Sequence, residues 1–253
     1  MLSEFLELKA FHLFLVFSRV GAMMMTAPGL RVGYVAMHAR LLLAIAVTLI
    51  MTPVLGSFLP GIPTSVGTLV QLITLEIFYG VFLGVIGQFV SASIHLAGTS
   101  IGQSSGLMNA MVFDPVTEAQ GALVIGLLTT IALVSIFIMD LHHLMLQAVY
   151  HSYALFPVGQ SVFVEDHVTT LVQTLAQGFF LGLSMAMPFI VFAIVFQSSM
   201  GLLSRLSPQL NVFFVALPIQ ILLGLGMLWV TVPILMMWFL RHFERTLLSF
   251  GVG

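Results

Sequence analysis

Ionisable side chains are scarce in this chain, and three of them fall inside long apolar stretches: Arg19, Glu76 and Asp140. A charge in such a setting is costly unless it finds a partner or a wet cavity. Two chemistries fit. The three residues either form an ion or proton pathway, or they pair between helices and fix their register, with Arg19 set against Glu76 or Asp140. One cation and two anions are few for a relay, so pairing is the expected use. It leaves one carboxylate over, and Glu76 is the candidate for a link to another subunit.

A second constellation, Asp140, His142, His143 and His151, has metal-ligating residue types. Neighbours on a helix diverge by about 100°, so His142 and His143 are expected to point apart. Asp140 with His143, and His143 with Gln147 and His151, share a face. That spacing feeds a metal only if another helix supplies further ligands, and there is no HExxH or comparable motif. No metal site and no cofactor is therefore expected, and the group reads as a helix end near an interface. His12, His38, His95, His167 and His242 are scattered singly. Catalysis has less support still. The chain has no cysteine and no G-x-S-x-G, and its carboxylates are not paired for acid and base roles. Gly98-Thr99-Ser100-Ile101-Gly102 lacks the lysine of a phosphate-binding loop. No catalytic residue is expected, and the chain does not read as an enzyme.

The most informative stretch runs from Gly102 through Gly121. It is bracketed by glycines and rich in polar residues, yet it carries Leu107, Met108, Met111, Val112 and Phe113 ahead of Asp114-Pro115. Such side chains are not left in water without cause. Methionine is unbranched and repacks easily, which suits a seal that opens and re-forms. Two readings stay open on physical grounds: a seal, or a short amphipathic piece lying on a bundle.

The elements that must position these residues follow from composition. The chain has 253 residues, 60% hydrophobic and only 6% charged, with a mean hydropathy of +1.16. Roughly a quarter of the residues in a soluble domain are charged, so a water-soluble globule is excluded. A net charge of -2 without a basic run excludes nucleic-acid binding. The start, with Glu4 and Glu7 beside Lys9, does not resemble a secretory signal and reads as mature protein. Glycine, proline and the few charges divide the chain into six apolar segments, near 10–30, 39–60, 66–98, 122–150, 168–200 and 210–240. Each is long enough to span a bilayer, which takes about 20 residues. An all-α, multi-pass bundle is expected.

The third and fifth segments exceed the roughly 30 Å hydrocarbon core and must tilt, break or leave the bilayer. With alternating sides, Lys9, Arg241 and Arg245 oppose Arg31, Arg40 and Arg205, so the positive-inside rule gives no orientation. Part of the bundle is thus expected not to be conventionally embedded. Gly80 with Gly84, and Gly178 with Gly182, are small-xxx-small pairs that admit a close helix neighbour. Pro53, Pro188, Pro218 and Pro233 fall inside helical segments and favour kinks. There is no clear internal repeat.

Beyond these readings, the sequence resembles the FliR family of the flagellar type III export gate, whose relative in virulence injectisomes is called SctT. The resemblance runs over nearly the whole chain. It rests on Phe17-Ser18-Arg19-Val20 leading to Ala27-Pro28-Gly29, Arg40-Leu41 with Pro53, and Glu76 with Gly80 and Gly84. The run from Gly98 through Asp114-Pro115, His142-His143 followed by Pro157-Val158-Gly159, and Pro208 through Phe213 with Pro218 complete it. The resemblance implies a single export-gate domain over 1–253, packed as one copy with several FliP and FliQ subunits in a closed helical channel. FlhB and FlhA would lie nearby, with membrane lipid around and unfolded flagellar subunits as the cargo. It further implies that residues 99–121 form a plug between the third and fourth segments, with Gly106, Leu107, Met108, Met111, Val112, Phe113, Asp114 and Pro115 at the gate. The expected location is the basal body in the bacterial inner membrane. The rival reading is a secondary transporter or ion channel working through Arg19, Glu76 and Asp140.

Overall fold

Glycine, proline and one aspartate set the helix ends. The structure, a computed structural model, describes residues 2–29, 35–107, 119–160, 164–206 and 212–250. Among these, the regular structure is helical throughout. Seven α-helices follow in order: α1 (Leu2–Thr26), α2 (Met37–Val54), α3 (Val66–Ser104), α4 (Ala119–Ile138), α5 (Leu141–Leu155), α6 (Val164–Leu206) and α7 (Val212–Leu248). A single 3₁₀ turn, Gly56–Phe58, follows α2.

Local chemistry accounts for the boundaries. Ser65 opens α3: its hydroxyl accepts the Gly67 N–H at 3.2 Å and its carbonyl accepts the Leu69 N–H. Gly106, at φ +78°, closes the turn after α3, and its N–H donates to the Gln103 carbonyl. The third apolar segment thus stays helical to Ser104, several residues past the expected end at 98. Ile101 is fully buried there, and Thr99 returns its hydroxyl to the His95 carbonyl, so the polar residues do not interrupt the helix.

The fourth segment is two helices rather than one. Asp140 adopts φ 57°, ψ 17°, the left-handed conformation that ends a helix, and α4 and α5 meet there at 70°. Its N–H donates to the Phe137 carbonyl and its own carbonyl accepts from the His143 N–H, so one residue closes α4 and opens α5.

Among the described residues five helices are long and apolar enough to cross a membrane, and six spans result if the bent pair counts as one. The chain is a multi-pass, all-α protein. The overlong segments do not break. α3, α6 and α7 contain 39, 43 and 37 residues, each more than about 50 Å at 1.5 Å per residue. Pro53, Pro188, Pro218 and Pro233 lie within helices and are exposed, so the missing N–H groups fall on outer faces.

The helices contribute to two compact units. The first comprises 1–90, 137–175 and 243–253, and the second 91–136 and 176–242. In the first unit Leu15, Val16, Val20, Tyr79, Phe82, Ile86, Val149, Tyr153 and Phe243 form the core. In the second unit the core is Ile94, Ile101, Leu128, Met185, Phe189, Leu228 and Phe239.

Candidate functional site: a buried polar lock and the stem of the polar stretch

In the first unit α1 brings Arg19 against α3 and α5. Both Arg19 and Glu76 have 0% exposure. The guanidinium meets the carboxylate side-on: Nε donates to Oε2 and Nη2 to Oε1, each at 2.8 Å. Nη1 donates to the Ser152 hydroxyl at 3.0 Å, and Nη2 also donates to the Phe156 carbonyl at 3.0 Å. Tyr153 lies under the guanidinium, 3.8 Å from Cζ to the ring centroid, and Tyr79 flanks it at 5.0 Å. This is the planar, fork-on-fork geometry that arginine forms and lysine does not.

Glycine makes the approach possible. A Cβ on Gly80, one turn beyond Glu76, would collide with the Arg19 carbonyl and come within 2.8 Å of Ala22 Cβ. A Cβ on Gly84 would collide with the Thr26 hydroxyl and approach the Met23 carbonyl at 3.0 Å. The pair therefore sets α3 directly on the α1 backbone. Gln88, one turn further, donates to the Thr26 carbonyl at 2.6 Å.

An aromatic cluster continues from the lock. Phe156 stacks on Tyr79 with centroids 5.0 Å apart, and the buried His167 at the start of α6 sits 4.7 Å from Phe82 and 4.9 Å from Phe156. Ser152, Tyr79, Tyr153 and His167 are members of the site that the sequence reading did not single out. Tyrosine was a usable signal: the chain has only 4, and Tyr79 lies at i+3 from Glu76 on the same helix face.

The placements correct three expectations. Glu76 is not left over for another subunit, because its two oxygens are both bonded to Arg19. Asp140 is not part of the lock: its side chain is 74% exposed at the α4–α5 bend. His142 and His143 do not point apart either, since their ring centroids are 4.1 Å from each other. They occupy the first turn of α5, where no preceding turn restricts the side-chain rotamers, and the rings lean together. Asp140, His142 and His143 form the group that could hold a metal ion among the described residues.

In the second unit α7 grips the end of α3. Gln220 Nε2 donates to the Ser104 carbonyl at 3.1 Å, and a Cβ on Gly224 would sit 2.5 Å from Ser105 Cβ. Gly106 is buried against the Gln220 side chain, and Leu107 is half-buried. On the other side of the polar stretch, α4 presses Ile125 onto Gly98, where a Cβ would lie 2.9 Å from Ile125 Cα. Gly182 of α6 likewise meets α3, 2.7 Å from the Ser93 carbonyl by the same measure, and Gly178 is buried one turn earlier. Met108, Met111, Val112, Phe113, Asp114 and Pro115 lie outside the described residues.

Comparison with known proteins places this arrangement. The family described as bacterial export proteins, family 1, matches residues 10–246. The chain is 36% identical over 231 residues to the flagellar biosynthetic protein FliR of Caulobacter vibrioides, covering 91% of this chain and 92% of that protein. It is 28% identical to the FliR of Pectobacterium carotovorum, over 87% of this chain and 83% of that one. With the Escherichia coli FliR it shares 25% identity over 86% of this chain and 82% of that protein. A match over almost the whole length, across the buried lock and both units, makes this chain a member of the bacterial export proteins, family 1, the family of FliR.

Proposed function

We propose that the chain is a non-enzymatic subunit of the flagellar protein-export channel of the bacterial inner membrane, passing unfolded flagellar subunits outward. The match to the export family over residues 10–246, with FliR relatives along nearly the full length, carries this reading. The surface supports it. The apolar windows of α6 and α7 are only 28% buried, and Phe180, Leu222 and Trp229 are more than two-thirds exposed. Faces of this size are covered by lipid or by partner helices. The partners in this reading are FliP and FliQ subunits in a hetero-oligomeric gate of the basal body, with FlhB and FlhA adjacent.

In this reading the plug lies within residues 99–121, between the helix ends at Ser104 of α3 and Ala119 of α4. The stem at Ser104–Gly106 is held by Gln220 and Gly224, which gives a gating segment a fixed base. Leu107, Met108, Met111, Val112 and Phe113 exclude water from a constriction when idle and yield to an extended polypeptide. A transporter working through Arg19, Glu76 and Asp140 has less support, because Arg19 and Glu76 satisfy each other and Asp140 lies apart.

Native mass spectrometry of the protein, extracted in mild detergent from its own cells, tests the reading. The expected result is one copy of this chain with several copies each of two small helical membrane proteins. A stable solitary monomer or homodimer would overturn it.

A further inference from the structure

The bend between α4 and α5 carries a group of ligating side chains that the export role does not use. Asp140, His142 and His143 each bring one ligand atom to within 4.8 Å of the others. Asp140 Oδ1 lies 3.6 Å from His143 Nδ1, too far for a hydrogen bond. The two imidazole rings are tilted by 35° at a centroid separation of 4.1 Å.

Each of the three has coordinating capacity that the fold leaves unspent. Aspartate at an N-cap position ordinarily accepts a backbone N–H from the first turn, but Asp140 makes no such bond. One nitrogen of the half-buried His142, Nδ1, is buried with no hydrogen-bond partner among the described residues, the kind of orphan that calls for a ligand. The Asp140 and His143 side chains are 74% and 61% exposed, so both are free to turn inward. Metal bonds of about 2.0–2.2 Å draw ligand atoms closer together than 4.8 Å, and rotation of these two side chains supplies the contraction.

We propose that Asp140, His142 and His143 form an open binding site for a borderline divalent cation of the zinc class. Two imidazoles and one carboxylate select zinc, nickel or copper over magnesium or calcium, which take oxygen ligands. Three protein ligands leave at least one position to water, so the ion is exchangeable. Binding ties the residue that ends α4 to the first turn of α5. The site is independent of the export reading and stands or falls without it.

The test is equilibrium dialysis of the full-length, chelator-treated and tag-free protein in detergent, with whatever chains co-purify, against Zn²⁺ alone. Bound metal is counted by elemental mass spectrometry per copy of this chain. The expected result is one saturable Zn²⁺ per copy, weakened about tenfold or more in His142→Ala and in His143→Ala. Asp140→Gly is the decisive variant, because glycine accepts the φ of 57° without strain and keeps the bend while removing the carboxylate. It too is expected to lose tenfold, whereas His38→Ala is expected to bind as the parent does. Absence of saturable binding, or unweakened binding in any one of the three ligand variants, overturns the site.

Discussion

Tyr153 lies flat beneath Arg19, with the guanidinium carbon 3.8 Å from the ring centroid, while the edge of the same guanidinium is bonded to Glu76. Face and edge of one arginine are thus satisfied by two different helices, α5 and α3. Its N–H groups donate to a carboxylate, a hydroxyl and a carbonyl. In a dry interior this geometry is what makes a charge tolerable.

Removing one partner of the lock leaves the other charge buried and alone. Arg19→Met or Glu76→Leu is expected to cost about 3–5 kcal/mol, read as a loss of thermal midpoint and of folded yield in detergent. The double replacement is expected to recover much of that loss, because no orphan charge remains. Arg19→Lys is expected to behave like a partial deletion, since an ammonium cannot make the side-on pair. Equal stability of Lys and Arg at this position would show that the fork is unimportant.

Gly80 is in contact with backbone, not with a side chain that can swing away. Gly80→Ala forces α3 off the Arg19 carbonyl and is expected to destabilise by about 1–3 kcal/mol. Gly126→Ala is the control: nothing lies within 4 Å of its Cβ position, and alanine favours the helix. A thermal melt of the two variants should separate them clearly.

Arg40 is 4% exposed in α2, and its Nε has no hydrogen-bond partner among the described residues. A buried donor left without a hydrogen bond costs stability, so Arg40→Met is expected to raise the thermal midpoint. A drop would mean that the stem of the side chain contributes more by packing than its head costs.

Deleting Gly106 to Gly121 tests the plug. The assembled gate is expected to leak ions in a planar bilayer while the complex still forms, and unchanged conductance would remove the plug assignment. Gln220→Leu is the milder variant: it releases the Ser104 carbonyl and is expected to raise the frequency of brief openings without abolishing assembly.

The sequence by itself determined the class. Few charges and long apolar runs leave only helices in a low-dielectric setting, and the order of motifs around Arg19, Glu76, Gly98 and Pro218 pointed to the export family. The start of α3 was legible at 66, where Ser65 caps it, whereas its end was expected at 98 and lies at Ser104, ahead of Gly106. Three matters were decided only by tertiary structure. Arg19 had two possible carboxylates, and which one it meets depends on α1 and α3 packing so that positions 57 apart in the sequence lie side by side. The α4–α5 bend depends on Asp140 taking a left-handed conformation, which a single letter in an apolar run does not announce. The closeness of His142 and His143 depends on rotamers at that bend, and periodicity fixes only the direction in which each side chain leaves the helix.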